Sequence, residues 1–352
     1  MKILTIIGAR PQFIKAASLS REIAKHKNIE EVIVHTGQHF DTNMSDIFFS
    51  EMQIPKPHYN LAINNLGHAA MTGRMMEEIE KIIIKEIPDW LLVFGDANST
   101  LAGALAAKKL HIKIAHVEAG LRSFDMNMPE EINRLITDRL STILFCPTQQ
   151  SFDNLAKEGF LNFDCLIENV GDIMYDSALF YIDTEKTSTK ELPSDYILAT
   201  IHRVENTDNV SNLKKIFTVL DAIHKDVRVV LPLHPRTKKI MKANQIKTNI
   251  QLIGPVGYLE MISLLKDTKA VITDSGGLQK EAYFFKKQCF TFRKHTEWTE
   301  LITSGCNQLI DVSKKDIASE VINNLTTKLN FSKPYYGDGK TSSKIVHTLL
   351  NY

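Results

Sequence analysis

Cysteine is scarce: Cys146, Cys165, Cys289 and Cys306 are the four among 352 residues. They are scattered and show no metal-ligand spacing, which argues against a zinc module or a disulfide framework. They read as ordinary thiols of a reduced, cytoplasmic protein. No histidine pair stands at zinc spacing with a third ligand, so no metal is expected. Neither charge is in excess. Lys+Arg number 42 and Asp+Glu 41, for a net +1, which gives no support to nucleic acid or a membrane surface as a partner. Long apolar runs are also missing. The stretch Met1–Ile7 stops at Gly8-Ala9-Arg10, too short for a signal peptide, and no later run approaches membrane-spanning length. There is no short repeat, no low-complexity tract and no GxxxxGK[ST] phosphate loop.

What is present is the composition of a soluble globular chain, 43% hydrophobic and 24% charged. Its length exceeds one ordinary core, so two domains are expected. Short apolar runs alternate with helical spacing. Strands are expected at Lys2–Ile7, Glu31–Thr36, Trp90–Phe94, Ile112–Val117, Ser141–Pro147 and Cys165–Val170. Helices are expected at Phe13–Lys25, His68–Lys85, Asn98–Leu110 and Gln149–Glu158. A second set begins at Tyr196, with strands at Tyr196–Ile201, Arg228–Leu233, Ile250–Leu252, Ala270–Thr273 and Gln288–Phe292. This is the pattern of α/β domains with doubly wound parallel sheets. The expected division is 1–170, 171–337 and a C-terminal helix, 338–352, returning to the first domain. The polar stretch Thr184–Ser194 reads as a linker.

Chemistry concentrates where strands end, because ligands of open α/β sheets bind outside the strands' carboxyl ends. The run Trp90–Phe94 ends at Gly95-Asp96 and the run Ile112–Val117 at Glu118; Glu130, Glu131 and Arg134 follow a loop later. Carboxylates crowded in a partly dry site acquire raised pKa values, which suits proton abstraction from carbon. The plainer alternative, that Asp96 and Glu118 cap helices, stands beside it. Asp274 to Glu281 (DSGGLQKE) follows a strand and opens a helix. Its glycines admit a phosphate to the helix N-terminus, and Glu281 is placed for ribose hydroxyls. Arg10, in the turn after the first strand, is a candidate bidentate partner for a diphosphate. His202 and His234 each end a strand, as functional or as structural histidines.

Taken together, these stretches resemble the non-hydrolysing UDP-N-acetylglucosamine 2-epimerases. The matching pieces are GARPQFIK at Gly8–Lys15, TGQHFD at Thr36–Asp41, GDANST at Gly95–Thr100 and HVEAGLRS at His116–Ser123. PEEINR at Pro129–Arg134, HRVEN at His202–Asn206, DSGGLQKEA at Asp274–Ala282 and TEWTEL at Thr296–Leu301 complete the set, in the family's order. The resemblance implies two Rossmann-like domains facing a cleft, as in GT-B glycosyltransferases, and a homodimer. It implies inversion at C2 of UDP-GlcNAc to UDP-ManNAc: a base removes the C2 proton, UDP leaves C1, and UDP adds back to a 2-acetamidoglucal. No external cofactor is implied. By motif, Asp96, Glu118 and Glu130 are the acid–base carboxylates, His202 assists departure of the diphosphate, and Lys15 matches a residue linked to activity. Arg10, Ser275, Gly276 and Gly277 hold phosphate and Glu281 the ribose. Met261 stands where an aromatic residue meets uracil, and Arg134 is a further substrate candidate. Gln38, His39, Arg74 and His234 lie near positions that bind a second, activating UDP-GlcNAc in some members.

Trp298 occupies the place of an arginine in the enteric-type pattern, and an indole cannot replace a guanidinium toward an anion. Arg293, Lys294 and His295, just upstream, are the alternative sources of positive charge. GARPQFIK and the Thr296-Glu297-Trp298 segment also resemble a branch acting on UDP-2,3-diacetamido-2,3-dideoxyglucuronate, which is the alternative substrate. Three further rivals are a hydrolysing 2-epimerase, a GT-B glycosyltransferase and a non-catalytic nucleotide-sugar sensor. The last two have little use for Asp96, Glu118 and Glu130 together.

Overall fold

The computed structural model describes residues 1–38, 54–182 and 192–352. Its contacts divide the chain into two compact units, Met1–Leu179 with Pro334–Tyr352, and Phe180–Lys333. The first unit begins with β1 (Lys2–Ile7), α1 (Arg10–Ile23), β2 (Glu30–His35), β3 (Tyr59–Asn60) and α2 (His68–Glu86). There follow β4 (Trp90–Phe94), α3 (Asn98–Lys109), β5 (Lys113–Val117), α4 (Pro129–Leu140), β6 (Ile143–Cys146), α5 (Gln149–Lys157) and β7 (Leu166–Asn169). All its strand pairs are parallel, in the order β3-β2-β1-β4-β5-β6-β7. Sandwiching between helices explains why β4 is buried along its whole length, as its unbroken apolar run requires. The small residues of α3 have a packing cause. A Cβ on Gly103 would press on Ile6 and Val93 at 3.2 and 3.3 Å, so this helix lies close against the sheet.

Helix α6 (Ile173–Tyr181) leads out of the first unit. The second holds α7 (Val204–Thr207), α8 (Val210–His224), α9 (Pro235–Ala243), α10 (Tyr258–Asp267), α11 (Gly276–Phe284), α12 (Thr299–Thr303) and α13 (Ile317–Asn324). Its strands are β8 (Tyr196–Thr200), β9 (Arg228–Pro232), β10 (Gln251–Ile253), β11 (Ala270–Thr273), β12 (Gln288–Thr291) and β13 (Asn307–Leu309). They form a parallel sheet in the order β10-β9-β8-β11-β12-β13. In both sheets the chain order reverses beside the first strand, between β1 and β4 and between β8 and β11. These are the switch points at which doubly wound sheets bind ligands. The last helix, α14 (Thr341–Asn351), belongs to the first unit. Its first amides, on Thr341 and Ser342, donate to the Asp176 carboxylate at 3.1 and 2.7 Å, a cap supplied by α6. Ser177 Oγ on the same helix donates to the Ile14 carbonyl at 2.9 Å, which keeps the start of α6 with the first unit. The units part at Leu179/Phe180 and rejoin at Pro334, where the sequence reading sets 170/171 and 338.

Other boundaries moved for identifiable reasons. Helix α1 starts at Arg10, not Phe13, because Pro11 fits a first helical turn. Helix α13 stops at Asn324, with β-branched Thr326 and Thr327 soon after. Strands β3 and β13 carry no apolar run, so hydrophobic pattern alone does not reveal them. Among the described residues, no helix is long and apolar enough to cross a membrane.

Candidate active site

The turn after β1 is built around Gln12. Its Oε1 accepts from the backbone N–H of Gly8 and Ala9 at 2.8 and 2.9 Å and from Ser99 Oγ at 2.9 Å. Its Nε2 donates to the Phe94 carbonyl and to Thr100 Oγ1, both at 2.9 Å. One buried amide thus ties the ends of β1 and β4 to the start of α3. Gly8 has no alternative here, since a Cβ would sit 2.0 Å from Thr36 Oγ1. Gly8→Ala is therefore expected to destabilise the fold by about 1–3 kcal/mol, the usual cost of overpacking. A denaturation midpoint equal to wild type would contradict that. Arg10 is the first residue of α1 rather than part of the turn.

Lys15, one turn further, is buried, and its Nζ lies 2.8 Å from Glu118 Oε1. Glu118 ends β5 with φ +74°, a left-handed conformation that a non-glycine residue adopts at a cost of about 1–3 kcal/mol. Both Glu118 and Ala119 N–H groups donate to the Phe145 carbonyl, at 3.1 and 3.0 Å, which holds the turn in place. Gly95, at the end of β4, has φ +61°; the position of its missing Cβ is 3.2 Å from Lys15 Nζ and 3.7 Å from Glu118 Oε1. Glycine there serves the backbone and leaves room for the ion pair. Next to it, Asp96 Oδ2 accepts from Arg134 Nε at 3.0 Å, while the Asp96 carbonyl accepts from Asn133 Nδ2 at 2.8 Å. Arg134 Nη1 also donates to Glu131 Oε2 at 2.7 Å. Glu131 is buried and accepts from Ser123 N, Ser123 Oγ and Phe124 N at 2.9–3.1 Å, ordering the loop before α4. Glu130, beside it on the first turn of α4, is exposed. Asp96 and Glu118 thus each face a cation. These cationic partners, Lys15 and Arg134, are not part of the sequence reading of the two acids as a cluster of like charges.

In the second unit Asp274 ends β11, fully buried, and its carboxylate organises the end of β8. It accepts from His202 N at 3.1 Å, Arg203 N at 3.0 Å and Asn206 Nδ2 at 3.1 Å. His202 Nδ1 lies 3.5 Å from Asp274 Oδ1, and the ring is partly exposed. The His234 ring is 5.9 Å from it, and His234 Nδ1 accepts from Arg236 N at 3.2 Å as the cap of α9. Helix α11 starts at Gly276 after Ser275, and nothing lies within 4 Å of where a Gly277 Cβ would be. The first-turn amides of a helix in this position are the donors that can receive an anion. Glu281 is buried on the same helix. Arg293 Nη1 is 3.5 Å from the Cβ position of Gly276, and its guanidinium is gripped by both Glu297 oxygens at 3.0 and 3.2 Å. Trp298 is buried, donates from Nε1 to the Gly276 carbonyl at 3.0 Å, and lies 4.6 Å beneath Lys280 Nζ.

The sequence model of the family described as UDP-N-acetylglucosamine 2-epimerase matches residues 21–350. The chain belongs to this family. It is 54% identical over 352 residues to UDP-2,3-diacetamido-2,3-dideoxy-D-glucuronate 2-epimerase of Pseudomonas aeruginosa, covering 99% of each chain. It is 42% identical over 367 residues to UDP-N-acetylglucosamine 2-epimerase of Methanocaldococcus jannaschii, covering 99% of each. The structure of the M. jannaschii enzyme in complex with UDP-GlcNAc and UDP superposes with a TM-score of 0.91, covering 100% of both chains. That of the Neisseria meningitidis epimerase bound to UDP-GlcNAc gives 0.88 at 29% identity, again over 100% of both. The two-sheet α/β architecture is accordingly the GT-B-like one of the 2-epimerases.

Within this family's chain, the structure brings Lys15, Asp96, Glu118 and Arg134 together at the ends of β4 and β5. It brings His202, His234, Ser275, Gly276 and Gly277 to the strand ends of the second sheet. Gln38 Oε1 accepts from Ser99 N at 3.1 Å, whereas Arg74 is exposed on α2. His39 lies outside the described residues. Met261 is half-buried, packed on the cluster that contains Leu264 and Val271. Gln12, Glu131 and Asp274, to which the sequence reading assigns no individual role, spend their polar groups on holding their neighbours. Gln12 had a signal in hindsight: an amide three residues past the cap position, the place of a capping-box partner.

Proposed function

We propose that this chain inverts C2 of a UDP-2-acetamido sugar by elimination and re-addition, and that its preferred substrate is UDP-2,3-diacetamido-2,3-dideoxyglucuronate. The observation that carries the first part is the pair of acids at adjacent strand ends, Glu118 held by Lys15 and Asp96 held by Arg134. One carboxylate takes the C2 proton, the C1–O bond breaks, and UDP departs with its electron pair, leaving a 2-acetamidoglucal. Protonation of C2 on the other face and return of UDP to C1 complete the inversion, so no redox partner is needed. Glu130 is the third acid–base candidate. Arg134 acts on Asp96 as a positioning group. The first turn of α11 and Arg10 serve the diphosphate, Glu281 the ribose, and His202 the departing phosphate. The substrate preference rests on the 54% identity to the diacetamido-uronate epimerase against 42% to the M. jannaschii UDP-GlcNAc enzyme. UDP-GlcNAc is the second reading, favoured by the ligand of the structural neighbour.

Turnover in D2O is expected to place deuterium at C2 of both epimers, read by NMR. Epimerisation with full retention of the C2 hydrogen would exclude elimination. The ratio of kcat/KM for the two sugars decides the substrate, since discrimination is a ratio of those constants. A preference for UDP-GlcNAc would overturn the uronate assignment and leave the chemistry standing.

A further inference from the structure

His116 lies on β5, fully buried, with no part in the chemistry above. Its ring nitrogens face two acceptors. Nδ1 is 2.7 Å from Asp138 Oδ1, and Nε2 is 2.8 Å from the Gly95 carbonyl oxygen. A carbonyl has no proton to give, so the second contact is a hydrogen bond only when Nε2 carries one. The proton shared with Asp138 belongs to the ring for a separate reason. Asp138 Oδ2 already accepts from Arg122 Nη1 at 2.7 Å and from Gly120 N at 3.2 Å. Both contacts favour the ionised carboxylate, the Arg122 one as an ion pair, so the shared proton is placed on the ring. A neutral ring protonated on Nδ1 alone would set its Nε2 lone pair against the Gly95 oxygen.

We propose that His116 is doubly protonated and is a positioning residue, donating through Nε2 to the Gly95 carbonyl to fix the turn that carries Asp96. The buried charges balance. Arg122 grips Glu158 with Nε and Nη2, both at 2.8 Å, so two cations and two carboxylates alternate from β5 through α4 to the end of α5. Two thiols also feel the Asp138 charge: Cys146 on β6, pushed up first by burial and then by that charge, and Cys165, pushed up first by burial and in smaller part by Asp138. Gly95 is tied to β5 at both of its polar groups, because its N–H donates to the Val117 carbonyl at 2.9 Å. Displacing that glycine moves Asp96 against the Lys15–Glu118 pair, which the missing Gly95 side chain accommodates.

Neutron diffraction from crystals of the wild-type chain tests the protonation directly. Deuterium on both Nδ1 and Nε2 of His116 is expected; deuterium on one nitrogen alone overturns the proposal. The positioning role rests on the 2-epimerase reading and is tested with His116→Asn, whose shorter amide cannot span both acceptors. Its kcat is expected to fall about ten- to a hundredfold, the scale of a misplaced catalytic group, with Kd for UDP unchanged. Unaltered kcat, or equal losses in kcat and UDP affinity, would refute positioning. Absence of 2-epimerisation in the wild type would instead sink the functional reading and leave the neutron result valid.

Discussion

Glu118→Gln is expected to lower kcat by about two to four orders of magnitude, the scale of a lost general acid–base group, with UDP affinity retained. Three features single out this carboxylate. It stands at a switch-point strand end, its backbone is held at φ +74°, and its side chain meets a buried ammonium. Strain of that kind survives where the surroundings over-determine it, and it clusters at functional sites. Lys15→Met is expected to cost turnover as well, because Glu118 then loses the group that orients it. Glu118→Gln removes the ion-pair partner of an ammonium whose side chain is 7% exposed, and breaking such a buried pair typically costs about 3–5 kcal/mol. The double variant removes both charges and is expected to be more stable than Glu118→Gln alone, while gaining no activity. Steady-state kinetics with calorimetric UDP titration, and denaturant midpoints for the three variants, check both statements. Near-normal turnover of Glu118→Gln would remove it from the chemistry.

The alternation of short apolar runs with helical spacing made both parallel sheets readable, because a strand covered on two faces must be apolar throughout. Asp96, Glu118 and His202 were readable for a related reason: once strands are located, their carboxyl ends are too. What pattern could not reveal was how those groups are partnered. Glu130 and Glu131 are adjacent and chemically alike, yet helical geometry exposes the first and buries the second on Arg134. Nor does the segment around Trp298 disclose that its indole packs on α11 and donates to Gly276 while a different residue brings a guanidinium there. The Trp298–Gly276 pairing joins residues 22 positions apart, where neither periodicity nor spacing carries a signal.

Arg293→Ala is expected to weaken UDP binding by about ten- to a hundredfold, corresponding to about 1.5–3 kcal/mol for hydrogen bonds to a charged group. The enteric-type arginine is replaced by Trp298, but Arg293 Nη1 already stands 3.5 Å from the Cβ position of Gly276, at the first turn of α11. Glu297 grips the guanidinium with both oxygens, which fixes its plane, and Gln279 Oε1 accepts from Thr296 Oγ1 at 2.7 Å, tying that segment to α11. With the diphosphate at the first turn of α11, as proposed, this preoriented guanidinium would stand beside it as a charged donor. Lys294, the neighbouring cation, is exposed and sits in the field of Asp311. Uridine, which has no phosphate, separates a diphosphate contact from a packing effect. Its affinity is expected to stay within about twofold of wild type, while the advantage of UDP over uridine shrinks. Equal weakening of both ligands would mean that Arg293 supports the fold of the site without touching phosphate. A diphosphate contact also predicts equal losses in kcat/KM for UDP-GlcNAc and the diacetamido uronate. A selective loss on the uronate would assign Arg293 to the sugar's C6 carboxylate instead, because only that substrate carries one.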